Sequence, residues 1–204
     1  MEMVDWPDRT RPLVLGIGGT GRPDSTTERA LRTALRGAEQ AGAEIALLDG
    51  PGLARLPMYT PQGSERTTAT EQFLATVARA DGLVLASPSY HGGISALVKN
   101  ALDHLEDLRH DRRPYLDGRA VGCIVTAAGW QTGGSTLAAL RATVHALRGW
   151  PTPLGITVNS AEQQLRTVEY EADRRCVEQL ETVGRQVAGF AHAHARTRPA
   201  EVTS

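Results

Sequence analysis

Three turns of the 204-residue chain concentrate the residue types that hold a polar ligand. The first reads Gly18-Gly19-Thr20-Gly21-Arg22-Pro23-Asp24-Ser25-Thr26-Thr27. Its glycines let backbone N–H groups approach an anion, its hydroxyls donate to phosphate oxygens, and Arg22 forks onto two of them. A helix that begins at Ser25 aims its free N–H groups and the positive end of its dipole at the same place. A monophosphate is the natural occupant. The bland alternative is a glycine-rich turn with a Ser/Thr cap and nothing bound.

The second turn reads Ser87-Pro88-Ser89-Tyr90-His91-Gly92-Gly93-Ile94-Ser95. Proline sets the exit from the preceding strand and the two glycines free the backbone, so exposed N–H groups there can bond the polar edge of a planar ring. Tyr90 and His91 add flat surfaces. His91 is either a general base or a solvated loop histidine, and no carboxylate stands beside it in sequence. The third turn, Ala127-Ala128-Gly129-Trp130-Gln131-Thr132-Gly133-Gly134, carries a tryptophan, an amide and three glycines. Trp130 either closes a ring site or packs at a subunit contact.

Two nucleotide motifs are excluded. Gly16-Ile17-Gly18-Gly19-Thr20-Gly21 satisfies the dinucleotide pattern G-x-G-x-x-G, but a helix starting at its second glycine would enclose Pro23, which removes a hydrogen bond and clashes. The acidic residue expected about 20 positions on is missing as well: Asp49 lies too far along and Glu44 opens a strand. Gly-Lys-Ser/Thr, the end of a P-loop, occurs nowhere.

The elements that position these turns follow from periodicity. Short apolar runs over residues 13–17, 45–48, 82–87, 120–126 and 154–158 predict five buried strands. Helical spacing predicts helices over 25–41, 69–80, 94–108, 133–148 and 173–194. Ser25 with Glu28 forms a capping box. Residues 50–68 are a long loop, and loops of that length are often functional. Strict alternation of strand and helix demands parallel strands with right-handed crossovers and helices on both faces. Five strands favour the flavodoxin-like doubly wound order 2-1-3-4-5 over the longer dinucleotide-binding order. Ligands then bind beyond the carboxyl ends of strands one and three, where the first two turns lie. One domain over residues 12–196 is expected, with an N-terminal extension over 1–11 and a disordered polar tail over 197–204.

Composition narrows the class. Basic residues number 22 and acidic residues 23, without the basic excess of a nucleic-acid binder. No apolar run approaches the roughly 20 residues of a membrane helix, and the N-terminus lacks the pattern of a secretory signal. Cys123 and Cys176 make neither a disulfide framework nor a metal site. A cytoplasmic protein without metal or membrane partner is expected. Aromatics are only 4%, so Ala, Leu and Val must build the core. Lys99 is the sole lysine.

Taken in order, these turns resemble the NAD(P)H-dependent FMN reductase family of flavodoxin-like proteins. The family's first loop, roughly G-S-x-R-x-x-S-x-N, is matched by residues 19–27 with Thr for Ser and Thr for Asn. Its second motif, roughly P-x-Y-[NH]-G-x-x-[SP]-G-x-L-K-N-x-[LI]-D, is followed over residues 88–103, with Ala96 for a glycine and Val98 inserted before Lys99. The likeness covers residues 13–159. It implies bound FMN, with Thr20, Arg22, Ser25, Thr26 and Thr27 at the phosphate. Pro88, Ser89, Tyr90, His91, Gly92 and Gly93 would line the ring, and Gly129 and Trp130 would lie near its far edge. It also implies NAD(P)H as co-substrate and a homodimer or dimer of dimers. Hydride would pass to FMN and electrons then to a small-molecule acceptor (flavin, quinone or similar) by ping-pong turnover. That chemistry needs no protein acid or base, so no catalytic residue is expected. A flavodoxin-type electron carrier and a dedicated reductase of a biosynthetic intermediate are the alternatives. Lys99 and Asp103 are a structural pair by their spacing, and Asp24 departs from the family by placing a carboxylate beside a phosphate.

Overall fold

Every residue of the first strand, β1 (Leu13–Gly18), is buried, as a strand covered on both faces must be. A computed structural model describes residues 11–61, 66–163, 165 and 171–197. The expected N-terminal extension, apart from Arg11, and residues 198–204 of the expected tail lie outside the described residues. After β1 come β2 (Glu44–Leu48), β3 (Gly82–Tyr90), β4 (Gly93–Ile94), β5 (Ala120–Ala127), β6 (Trp150–Pro151) and β7 (Ile156–Asn159). The helices are α1 (Thr26–Gln40), α2 (Gly50–Leu53), α3 (Thr68–Arg79), α4 (Ala96–Asp103), α5 (Trp130–Ala146) and α6 (Glu171–Thr197). A 3-10 segment, His104–Leu108, continues α4.

The sheet order is β2-β1-β3-β5, with β6 and β7 sharing the position beyond β5. All these pairings are parallel, so the five principal positions follow the flavodoxin-like order 2-1-3-4-5. The outer position is split. β6 pairs with Ala120 and Val121 and β7 with Ile124 to Ala127; between them Pro153 has no N–H to give the ladder. The unforeseen β4 folds back antiparallel on β3. Residues 50–68, expected as loop throughout, contain α2.

Side chains alternate between two cores. Leu15, Leu83, Leu85, Val121 and Cys123 face α3, α4 and α5, while Val14, Val84, Ala86 and Ile124 face α1 and α6. The α1–α6 crossing is built on small residues. A Cβ on Gly37 would sit 2.1 Å from the Glu181 carbonyl, and one on Gly184 1.8 Å from that of Ala34. The two backbones touch there, and large rings have no room.

Helix α5 begins three residues before the expected start, so Trp130 is helical rather than in a turn. Gly133, expected as turn glycine, is instead demanded by packing: a Cβ there would meet Thr157 Cγ2 at 2.2 Å. The last helix also runs longer, from Glu171 to Thr197.

Candidate functional site

Gly18 stands opposite Ala86 in the β1–β3 register, and the Gly19 N–H donates to the Ala86 carbonyl at 3.3 Å. The turns after β1 and β3 therefore leave the sheet side by side. The turn after β2 joins them, since a Cβ on Gly50 would lie 1.8 Å from the Thr20 carbonyl. Only glycine permits that approach.

Ser25 caps α1, its hydroxyl accepting from the Glu28 N–H at 3.2 Å. The Glu28 carboxylate reaches back to the Asp24 N–H at 3.0 Å, one residue further than the usual box. Asp24 holds a left-handed φ of 51°, and its exposed carboxylate turns to Arg29 at 3.1 Å. Arg29 also donates to the Asp24 carbonyl and, at 3.1 Å, to the Thr26 hydroxyl. Thr27 is buried with its hydroxyl 2.6 Å from that of Thr126. The Ser25 and Thr26 hydroxyls accept from Glu28 and Arg29 and keep their own protons to give, while that of Thr27 is shared with Thr126. At the surface of the turn stand the exposed Arg22 and Thr20, whose hydroxyl donates to the Arg22 carbonyl and accepts from its N–H. The N–H groups of Thr26 and Thr27, in the first turn of α1, add to these because no intrahelical acceptor reaches them. A Cβ on Gly21 would meet nothing within 4 Å, so the turn is open at that point.

The second turn is a hairpin. His91 and Gly92 have φ of 54° and 78°, the two positive values of a type I′ connection. His91 is exposed at its tip. Pro88 and Tyr90 share one face of β3 and Ser89 takes the other. The Ser89 hydroxyl bonds the Thr136 hydroxyl at 2.7 Å and the Thr132 carbonyl at 3.1 Å, tying the hairpin to α5. Beneath it, the Ser87 hydroxyl accepts from the Ser95 N–H at 3.0 Å, and Ser95 caps α4.

These parts enclose a cavity of about 150 Å³. Gly19, Thr20 and Gly21 form one wall, Pro88 and Tyr90 a second, and Ser95, Ala96 and Leu97 a third. Among the expected residues, Thr20, Pro88 and Tyr90 line it, while Arg22, Ser25, Thr26, Thr27, Ser89, His91, Gly92, Gly93, Gly129 and Trp130 do not. Gly129 is the cap residue of α5, and half-exposed Trp130 donates from Nε1 to Glu162 at 3.3 Å. Ser95 ends the second turn as expected, whereas Ala96 and Leu97 are not marked as site residues by the sequence, because a helix begun at 94 places them among core positions. A larger groove of about 490 Å³, floored by Leu53, Leu56 and Phe73, lies beside α2 and α3, but none of the phosphate-turn residues lines it. The backbone donors, the open glycine and the apolar wall fit a flavin mononucleotide lying across the two turns.

A parallel sheet in this order, with a glycine-rich turn and a capped helix at its point of reversal, defines a flavodoxin-like protein. The family model for NADPH-dependent FMN reductase matches residues 12–163, and the chain belongs to that family. The FMN-dependent NADPH-azoreductase of Staphylococcus haemolyticus is 34% identical over 103 residues. The match spans 50% of this chain and 51% of that protein, so the chain covers about half the length of that relative. Among solved structures, the NAD(P)H:(acceptor) oxidoreductase of Paracoccus denitrificans superposes with a TM-score of 0.70 at 18% identity, over 90% of this chain and 98% of that one. An oxidoreductase of Corynebacterium diphtheriae also gives 0.70 at 15% identity, over 91% and 99%. These two likenesses establish the fold. Among the described residues, no helix is long and apolar enough to cross a membrane.

Proposed function

We propose that the chain is an FMN-containing oxidoreductase that takes hydride from NAD(P)H and passes electrons to a small-molecule acceptor. The observation that carries this reading is the cavity shared by the turns after β1 and β3, in a chain of the NADPH-dependent FMN reductase family. The chemistry that bound FMN supplies is a two-electron relay between nicotinamide and acceptor. The protein's part is to hold and to expose. Arg22, Thr20 and the first N–H groups of α1 hold the phosphate, and the positive end of the helix favours its charge. Pro88, Tyr90 and the backbone of the hairpin, clamped to α5 through Ser89, support the ring from one side. Gly129 and Trp130, at the start of α5, would lie near the ring's far edge. No side chain is required to move a proton, and His91 at the tip of its turn is left without that task.

Donor and acceptor would use the same open side of the site in turn, which would make turnover ping-pong. Azo compounds and quinones are the acceptors to try first, the former because of the azoreductase relative. The exposed side chains of Tyr90 and Trp130 support a homodimer that covers apolar surface beside the site. The protein acts in the cytoplasm. Anaerobic mixing of the FMN-loaded protein with NADPH tests the reading: loss of the flavin's visible absorbance, restored by a quinone, is expected. Flavin that stays oxidised under excess NADPH and NADH contradicts it.

A further inference from the structure

The segment after α2 is fastened to α4 by bonds that the flavin site does not need. The Asn100 side chain accepts from the Tyr59 N–H at 2.8 Å and donates to the Pro57 carbonyl at 2.9 Å. His104 Nε2 lies 2.9 Å from the same carbonyl. A carbonyl only accepts, so Nε2 carries the proton and both lone pairs of the Pro57 oxygen are used. His104 is fully buried, and its Nδ1 has no partner. The Tyr59 ring meets the His104 ring edge-on at 5.3 Å, and the Arg66 guanidinium lies 5.3 Å over its centre. Arg66 in turn pairs with Asp107 at 2.6 Å. Between the two anchored residues, Met58 remains 75% exposed.

The position of this latch gives it a purpose. Ala96 and Leu97 line the cavity, and Asn100 and His104 follow at helical spacing on the same side of α4 and its 3-10 extension. At its other end the segment rests on the phosphate turn, where Gly50 meets Thr20. Residues 50–59 thus start against the turn after β1, give Gly52, Leu53, Arg55 and Leu56 to the larger groove, and end against Asn100, one helical turn from Ala96 of the cavity wall. A thioether on a fixed backbone is an adaptable apolar contact for flat rings.

Resting on the flavin reading, we propose that Asn100 and His104 are positioning residues that hold Met58 as the contact for a flat, apolar acceptor. A benzoquinone then takes two electrons and two protons to become its hydroquinone. The nicotinamide hydride supplies both electrons and one proton, and solvent supplies the other.

The test uses FMN-loaded full-length protein with variants N100A, H104Q and M58A. FMN affinity, anaerobic bleaching by NADPH, and KM and kcat for a benzoquinone and for ferricyanide are measured. Ferricyanide is a hydrophilic ion that needs no apolar wall. N100A and M58A are expected to raise the benzoquinone KM about tenfold, as expected for loss of one good contact. FMN affinity, bleaching rate, kcat and the ferricyanide KM should stay within about twofold. H104Q retains an N–H donor and should keep most of the wild-type KM. M58A removes an exposed side chain and serves where N100A fails to fold. An unchanged benzoquinone KM in M58A, or equal rises for both acceptors, overturns the positioning role while the flavin reading stands. Wild-type protein that takes up no FMN overturns the reading beneath it instead.

Discussion

The hydroxyls of Thr27 and Thr126 meet at 2.6 Å across the carboxyl end of the sheet, both buried, joining the first turn of α1 to β5. The family resemblance implies Thr27 at the phosphate; in the structure its hydroxyl pairs with that of Thr126, and its N–H has no intrahelical acceptor. T27V keeps shape and N–H but strands the Thr126 hydroxyl, at a cost of about 1–3 kcal/mol. Chemical denaturation should show that loss, while FMN affinity in the folded protein changes less than about twofold. A tenfold weaker FMN complex would return the hydroxyl to the phosphate.

Charge around the same turn should be read by the phosphate alone. Exposed Arg22 is free to reach a ligand, whereas Asp24 brings a carboxylate held outward by Arg29. R22A is expected to weaken FMN about tenfold, the size of one charge-assisted bond. D24N should tighten it by roughly twofold to fivefold, with both effects shrinking in high salt. Riboflavin, which lacks the phosphate, is the control. Equal changes for riboflavin and FMN would place the phosphate elsewhere.

His91 tests whether the second turn takes part in chemistry. Its positive φ of 54° is one that Asn adopts more readily. H91N should leave kcat within about twofold and stability equal or slightly higher. A hundredfold loss of kcat would make the histidine a proton carrier, an effect of the size general acid–base catalysis supplies.

Much of this arrangement was legible in the residues themselves. Ser25 and Glu28 marked the start of α1, the apolar runs marked five sheet positions in the correct order, and Gly18 to Gly21 and Pro88 to Gly93 marked the two turns that meet. What could not be read depended on partners distant in sequence. Gly133 looks like a turn residue until Thr157 is seen against it. Pro88 looks like the exit from a strand that ends at Ser87, yet β3 runs on to Tyr90 and pairs with β4 through Ser89 and Tyr90. The bonds from Asn100 to Pro57 and Tyr59 span more than 40 residues, and nothing local announces them.

The buried thiols give a pH prediction. Burial pushes Cys123 up to about 12 and Cys176 up to about 11, with Arg141 moderating the first. In the unfolded chain these thiols ionise near pH 8.5. Above that pH the unfolded state loses protons that the native state keeps, so stability present below pH 8.5 is lost as pH rises toward 11–12. C123A should flatten the alkaline decline by up to roughly 1.4 kcal/mol per pH unit. Denaturation curves between pH 8 and 11, read as slopes, separate this effect from the cavity the alanine leaves. An identical slope in C123A would show that the thiol is not responsible.

The measurement closest to the central claim is titration of the purified chain with FMN, followed by quenching of flavin fluorescence. One FMN per chain, bound more tightly than riboflavin and weakened by R22A, is the result predicted for a single nucleotide held by the turns after β1 and β3. No saturable uptake, or a complex indifferent to both the phosphate and Arg22, would contradict it.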